Sequence, residues 1–416
     1  MTSRTPELPV SLADIRAAAD AIAGAVLRTP AIAAPALSDA LGAGIVLKPE
    51  MLHPTGSFKE RGALNKLLSL DEAQRSAGVV AMSAGNHAQG VAYHARRLGI
   101  PVTIVMPAET PFTKVERTEA YGAQVVLRGA GLAEAREAAV EIAAARGLTL
   151  VHPYDDPKII AGQGTIALEL LADHPELDAL IVPVGGGGLI SGIARAAKAV
   201  KPGIAVIGVQ CALYAAMLHA LGRGPAPSGG STLAEGIAVK EPGKLTRAII
   251  EALVDDILPV DETMLERATA LLVESQKLVV EGAGAAPLAA LLTHGARFHG
   301  KRVGLVLSGG NIDARLLASI LQRSLVRAGR LVRLRIEISD APGVLSRVAG
   351  IIGEKGGNIV EIYHQRLFQD VPVKFAEVDA VVETRNPGHV GEVVGALVAA
   401  GFPTRLLSST AVEGGD

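Results

Sequence analysis

Hydrophobic and polar positions along the chain follow two rhythms. Between about residues 77 and 326, short aliphatic runs rich in β-branched residues each give way to an Ala-rich stretch with helical spacing. Val79 to Met82 precedes a helix predicted from about Asn86 to Leu98, and Val102 to Val105 precedes one near Lys114 to Tyr121. Val125 to Leu127 leads to Leu132 to Ala145, Leu180 to Val182 to Leu189 to Val200, and Val303 to Leu307 to Asp313 to Val326. Strands that are apolar throughout, alternating with helices, predict parallel sheets covered on both faces. A first helix is signalled near the start. Ser11 caps it, Asp14 reaches back as capping-box partner, and Leu12, Ile15, Ile22 and Val26 share one face.

After Arg330 the rhythm changes. Leu331 to Ile338 alternates, with Leu334, Ile336 and Ile338 on one face, as a half-exposed strand does. Asp340-Ala341-Pro342-Gly343 is a turn, Val344 to Glu354 a helix, and Gly356-Gly357 its stop. Ile359 to Leu367 and Val373 to Val382 read as strands, Asn386-Pro387 opens a helix to Ala400, and Thr404 to Leu407 is a last strand. The order βαββαβ is that of a ferredoxin-like unit. The expected organisation is therefore an α/β segment over 1–328, with a smaller subdomain at about 77–155 inserted in it. A separate module follows at 331–410, with the linker near Gln322 to Arg330.

Composition narrows the function. A chain of 416 residues with 49% hydrophobic content can build a sizeable core in two or three domains. Lys and Arg number 40 against 42 Asp and Glu, a net charge of -2, which argues against a nucleic-acid or anionic-membrane surface. The lone cysteine, Cys211, excludes an internal disulfide framework and suits a reducing compartment. Its apolar flanks Val209, Ala212 and Leu213 suggest a core position. Met1 to Val10 has no apolar signal region, and no apolar stretch reaches spanning length. These features predict a soluble, cytoplasmic protein.

Four motifs sit where strands end or helices begin, the places where ligands bind in open α/β sheets. In Thr55-Gly56-Ser57-Phe58-Lys59-Glu60-Arg61-Gly62-Ala63, a lysine opens a helix against the helix dipole, between glycines that allow close backbone approach. A surface lysine beside a turn reads equally well. Ser83-Ala84-Gly85-Asn86-His87-Ala88-Gln89-Gly90 offers free amides and polar groups suited to a carboxylate, or simply helix caps at Ser83 or Asn86. Gly185-Gly186-Gly187-Gly188-Leu189 follows a buried strand and opens a helix, so several amides converge on one spot, as a phosphate requires. Ser308-Gly309-Gly310-Asn311 brings a hydroxyl and an amide to another strand end. His87 and His94 lack a carboxylate partner at ligand spacing, so no metal role is expected.

In this order the motifs resemble the threonine/serine dehydratase group of the fold type II pyridoxal-phosphate enzymes, over about Ile15 to Val326. The segment from Arg333 resembles an ACT domain. The resemblance implies a tryptophan-synthase-β-like catalytic fold and conversion of L-threonine, and of L-serine, into a 2-oxo acid and ammonia. It implies that Lys59 carries pyridoxal 5′-phosphate and takes the Cα proton. Phe58 would lie against the ring, Asn86 would bond its hydroxyl, and Ser308 would meet its nitrogen. The amides of Gly185, Gly186, Gly187, Gly188 and Leu189 would hold the phosphate. Ser83, Gly85, Asn86 and His87 would grip the substrate carboxylate, and Gly343, Val344, Leu345, Asn358 and Ile359 would bind a regulatory amino acid such as isoleucine or valine. A homodimer or homotetramer is implied as well.

Two departures from serine racemase, a relative within the group, carry information. Ala84 stands where that enzyme has a second serine, which predicts poor racemisation. Gln210 and Ala216 stand where it has metal-binding carboxylates, so no divalent site is expected and a monovalent one stays open. The motifs leave two other functions open: a β-replacement synthase of the same fold, and a non-catalytic amino-acid sensor. The second has no need of Lys59.

Overall fold

The structure is a computed structural model that describes residues 8–365 and 375–407. Its packing divides the chain into two compact units, one up to Ile312 and one from Asp313.

The first unit contains two sheets. The chain starts with the helix Leu12–Ile22, where Asp14 N–H donates to Ser11 Oγ at 3.1 Å and Ser11 N–H donates to Asp14 Oδ2 at 2.8 Å, the capping box read from sequence. Val26 is buried too, but lies beyond the helix end. Strands β1 (Ile32–Ala33) and β2 (Gly44–Pro49) begin the larger sheet. The smaller sheet is then built from β3 (Val79–Met82), β4 (Val102–Met106), β5 (Gln124–Leu127) and β6 (Thr149–Leu150), all parallel, in the order β5-β4-β3-β6. The chain returns to the larger sheet with β7 (Ala179–Pro183), β8 (Ala205–Cys211), β9 (Asp256–Val260) and β10 (Arg302–Leu307). Its order is β1-β2-β10-β7-β8-β9, parallel except for the two-residue edge strand β1.

Unbroken apolar strands do feed cores on both faces. In β7, Leu180 and Val182 enter one core while Ala179 and Ile181 enter another on the opposite face. In β3, Val79 and Ala81 join one cluster and Val80 the other. Each fully buried aliphatic side chain contributes roughly 1.5–3 kcal/mol. The helices Asn86–Leu98, Phe112–Ala120, Leu132–Arg146 and Gly188–Val200 follow their strands as expected.

The second unit holds an antiparallel sheet of β11 (Leu331–Ser339), β12 (Asn358–Gln365), β13 (Phe375–Glu383) and β14 (Thr404–Leu407), in the order β12-β13-β11-β14. The helices Val344–Glu354 and Pro387–Ala399 complete the βαββαβ sequence. Leu334, Ile336, Ile338, Val378, Ala380 and Val382 face the helices. The expected strand ends at Leu367 and Val373 lie outside the described residues.

One expectation differs in position. The stretch Gln322 to Arg330, read as a linker after a catalytic segment ending at 328, is mostly the end of the helix Ala314–Arg327. The division falls at 312/313 instead, before that helix. Asp313 caps it by accepting from Arg315 N–H at 2.9 Å and Leu316 N–H at 3.1 Å, so a polar residue placed as a cap marks the junction.

Candidate active site

The motifs converge because their loops hydrogen-bond to one another at the carboxyl ends of the strands. Phe58 N–H donates to Ser308 O at 3.0 Å and Gly310 N–H to Gly56 O at 3.0 Å, tying the loop after β10 to the segment before Lys59. Gly56 has φ +72° and faces Asn311, so a side chain there would be strained and would collide. Gly90 has another reason to be glycine. Its helix passes so close that a Cβ would lie 3.3 Å from the Lys59 backbone. Two motifs thus touch at the lysine.

Lys59 opens the helix Lys59–Leu68. Its Nζ donates to Pro153 O at 2.8 Å and lies 5.2 Å from the Phe58 ring centroid. Burial draws the ammonium down from 10.5 to about 8, with the Glu281 charge opposing. A carbonyl oxygen and an aromatic ring stabilise an ammonium far less than water does, so the neutral amine becomes accessible.

Around it lies a polar triangle. Asn86 Nδ2 donates to Glu281 Oε1 at 2.8 Å, and Asn311 Nδ2 donates to Asn86 Oδ1 at 2.8 Å and to Thr55 O at 2.7 Å. Among the described residues Asn86 therefore keeps one amide hydrogen uncommitted. Burial lifts the Glu281 carboxyl to about 7, although the Asn86 bond favours its charged form. Gly309 makes room for it, since a Cβ there would sit 2.7 Å from Glu281 Oε1. Ser308 is buried, and among the described residues its hydroxyl has no hydrogen-bond partner.

The glycine run ends β7 and enters the helix Gly188–Val200. Among the described residues, none of the amides of Gly185, Gly186, Gly187, Gly188 and Leu189 donates to a protein acceptor. Buried amides left without acceptors are costly, so this arrangement calls for an anion. The loop's surroundings were not legible in the motif. The Tyr154 ring covers Gly186, Thr246 Oγ1 donates to Gly186 O at 2.7 Å, and Asp155 accepts from Lys244, Leu245 and Thr246 N–H at 2.9–3.1 Å.

The segment expected to meet a carboxylate begins the helix Asn86–Leu98. Gly85 N–H donates to Ser83 Oγ at 3.1 Å, whereas the Asn86 and His87 amides donate to no protein group among the described residues. The His87 imidazole is not free, because Nε2 donates to Val151 O at 3.0 Å. Burial, reinforced by the Lys59 charge, pushes its pKa down to about 3, so it is neutral. Only its backbone amide is available to a carboxylate.

Behind Lys59, Arg61 is buried and donates to Glu50 at 2.7 and 2.9 Å and to Glu169 at 2.6 and 2.9 Å, while buried Lys48 pairs with Glu169. Burial alone would raise the Glu50 carboxyl, but the Arg61 charge and the His53 bond hold it well below the usual range. This cluster fastens the lysine helix to β2 and to the helix Pro157–Asp173. Sequence reasoning missed Glu281, Tyr154, Asp155, Thr246 and this cluster. A signal exists only for Glu281, which directly precedes the small-residue helix start Gly282-Ala283-Gly284-Ala285-Ala286 that lets backbone come close.

Two sheets with a half-buried lysine amine and an acceptor-free glycine bend at their carboxyl ends belong to a known class. The sequence profile described as "Pyridoxal-phosphate dependent enzyme" matches residues 22–309, and the chain belongs to this family. Among its relatives is a Thermotoga maritima protein named L-threonine ammonia-lyase, 44% identical over 400 residues, covering 96% of this chain and all of the relative. The solved structure of a threonine deaminase from T.th. is 43% identical with a TM-score of 0.68, covering 73% of this chain and 99% of that one. Maize serine racemase is 36% identical with a TM-score of 0.71, covering 77% and 99%.

The residues fit the family's cofactor. An aldehyde needs an amine that can lose its proton, and Lys59 supplies one. A phosphate needs converging donors, and the amides of residues 185–189 are uncommitted. A pyridine ring needs a flat apolar neighbour and a nitrogen partner, for which Phe58 and Ser308 are present.

Proposed function

We propose that the chain deaminates L-threonine to 2-oxobutanoate and ammonia, and L-serine to pyruvate. The observation that carries this reading is the lowered amine of Lys59 held beside Phe58 in a site with an acceptor-free glycine bend. The names of the relatives, over nearly the whole chain, support the substrate.

When bound, pyridoxal phosphate supplies the electron sink that makes a Cα proton acidic. Lys59 Nζ accepts that proton, and its pKa near 8 makes it a base matched to neutral or mildly alkaline conditions. The amides of Asn86 and His87, with the Ser83 hydroxyl that Gly85 N–H holds in place, orient the substrate carboxylate at a helix N-terminus. Phe58 and the spare amide hydrogen of Asn86 would position the ring. Ser308 would face its nitrogen with a hydroxyl, which stabilises a full pyridinium charge less than a carboxylate would, so the electron sink supplied there would be a moderate one that favours elimination. Ala84 offers no hydroxyl to reprotonate Cα from the other face, so racemisation is slow.

The second unit acts as an ACT-like regulatory module. Gly343, with φ +85° and open space where a Cβ would stand, opens the helix Val344–Glu354, and Asn358 opens β12. Val344, Leu345 and Ile359 are half-buried against the unit's core. An amino acid such as isoleucine or valine binds there, between modules of a homodimer or homotetramer, and shifts the catalytic equilibrium by its differential affinity. Among the described residues no helix is long and apolar enough to cross a membrane, and the lone cysteine suits a cytoplasmic, reducing compartment. The test is to assay purified protein for 2-oxo acid from L-threonine, with and without each effector. Absent product would refute the activity, and identical kinetics with every effector would refute the regulation.

A further inference from the structure

The four-glycine bend is clamped from both sides. On one side, a Cβ at Gly186 would overlap the Tyr154 ring, and a Cβ at Gly188 would lie 2.8 Å from Tyr154 O and 2.9 Å from its Cβ. On the other, a Cβ at Gly187 would meet Thr246 Cβ at 2.8 Å, and Thr246 Oγ1 holds Gly186 O at 2.7 Å. Of the four, only Gly187 has positive φ, at +97°. Gly186 and Gly188 are therefore glycines because Tyr154 lies on them, while any residue could adopt their backbone angles.

Tyr154 is itself anchored. Its hydroxyl donates to Glu241 O at 2.9 Å, and its ring meets His152 edge-on, with centroids 4.7 Å apart. Its backbone N–H and that of Asp155 donate to His152 Nδ1 at 3.3 and 2.8 Å. Asp155 caps the helix Lys244–Leu253 that carries Thr246. Pro153, one residue before, accepts from Lys59 Nζ. One short segment thus faces the lysine with its first carbonyl and the anion loop with its next side chain.

We infer that Tyr154 is a positioning residue which, with Thr246 behind the bend, presets the amides of residues 185–189 to receive the cofactor phosphate. A run of four glycines is the most freely moving backbone a chain can have. Left unclamped, it would have to be ordered when the anion binds, which weakens binding. This inference rests on the assignment of those amides to the phosphate.

The test compares pyridoxal 5′-phosphate with pyridoxal, which differs only in lacking the phosphate. Their affinities for the apoprotein are measured by visible absorbance in wild type, Tyr154→Phe, Tyr154→Ala and Thr246→Val. Wild type prefers the phosphorylated aldehyde strongly. Tyr154→Phe keeps the ring and retains that preference. Tyr154→Ala lowers it about tenfold, and Thr246→Val lowers it by a smaller factor, with pyridoxal binding unchanged. A preference unchanged in Tyr154→Ala, or an equal loss for both aldehydes, overturns the inference. Should Tyr154→Ala fail to fold, an unchanged preference in Thr246→Val overturns it. Wild type binding both aldehydes equally would instead remove the phosphate assignment itself.

Discussion

The lowered pKa of Lys59 has a direct kinetic consequence for cofactor capture. Attack on an aldehyde requires the neutral amine. With a pKa of about 8, roughly one amine in ten is neutral at pH 7, against about one in 3,000 for an unshifted lysine. The site therefore presents ~300-fold more nucleophile at neutral pH. The assay mixes apoprotein with pyridoxal, whose lack of a phosphate removes one competing titration, and follows colour formation from pH 6 to pH 10.5. The rate should climb about tenfold per pH unit, then level near pH 8. Glu281→Gln removes the charge that opposes the shift, so its plateau should begin at lower pH. A rate that keeps climbing beyond pH 10 in wild type would show that burial leaves the lysine unshifted, and Lys59 could not then serve as a neutral-pH base.

Further outcomes follow from neighbouring residues. Arg61→Met strands the Glu50 and Glu169 carboxylates and should cost about 3–5 kcal/mol in urea unfolding; a loss under about 1 kcal/mol would mean the cluster is not acting as a buried ion network. Burial raises the Glu281 carboxyl from 4.5 to about 7, so the folded apoprotein binds a proton there more tightly than the unfolded chain does. Its stability should fall as pH rises from 4.5 to 7, and comparing urea midpoints at the two ends with those of Glu281→Gln, which should lose that slope, checks the sign. Asp155→Ala removes the cap of the helix Lys244–Leu253 and should cost about 1 kcal/mol, with an unchanged midpoint counting against it. On the proposed reading, in which Ala84 stands where a far-face hydroxyl would act, Ala84→Ser should raise D-serine formation from L-serine, measured by chiral chromatography; no increase would show that this residue does not limit racemisation.

Much of the fold was legible because parallel sheets leave a strong trace. Residues 79–82 and 179–184 are unbroken apolar runs bounded by glycine or polar residues, and the structure places β3 and β7 on them. The alternation in residues 331–338 marked a sheet with one open face, and β11 buries every second side chain. The junction was harder to read. A helix was expected over Asp313 to Val326 and is found at Ala314–Arg327, but with only Ile320 buried in it nothing in its spacing tells which unit it packs with, so the division was placed after it instead of before. The site was legible where a glycine motif forced a close approach, at Gly56 and at residues 185–188. It was opaque where contacts span long sequence distances. Glu281 meets Asn86 across 195 positions, Arg61 meets Glu169 across 108, and Thr246 meets Gly186 across 60. The small residues after Glu281 hint at a close approach, but nothing local in a carboxylate, an arginine or a threonine names its distant partner. His87 shows the converse: the motif implied that it grips a carboxylate without saying through which atom, and with the imidazole spent on Val151 O only the backbone amide is left for that role.

The central claim is a covalent one, and a mass measurement reaches it most directly. Protein loaded with pyridoxal 5′-phosphate is reduced with borohydride, which fixes any amine–aldehyde linkage, then cleaved and sequenced by mass spectrometry. The added mass is expected on the peptide containing Lys59, at that residue alone, and none in Lys59→Ala. A label on another lysine, or a fully loaded protein whose Lys59 peptide is unmodified, would contradict the claim.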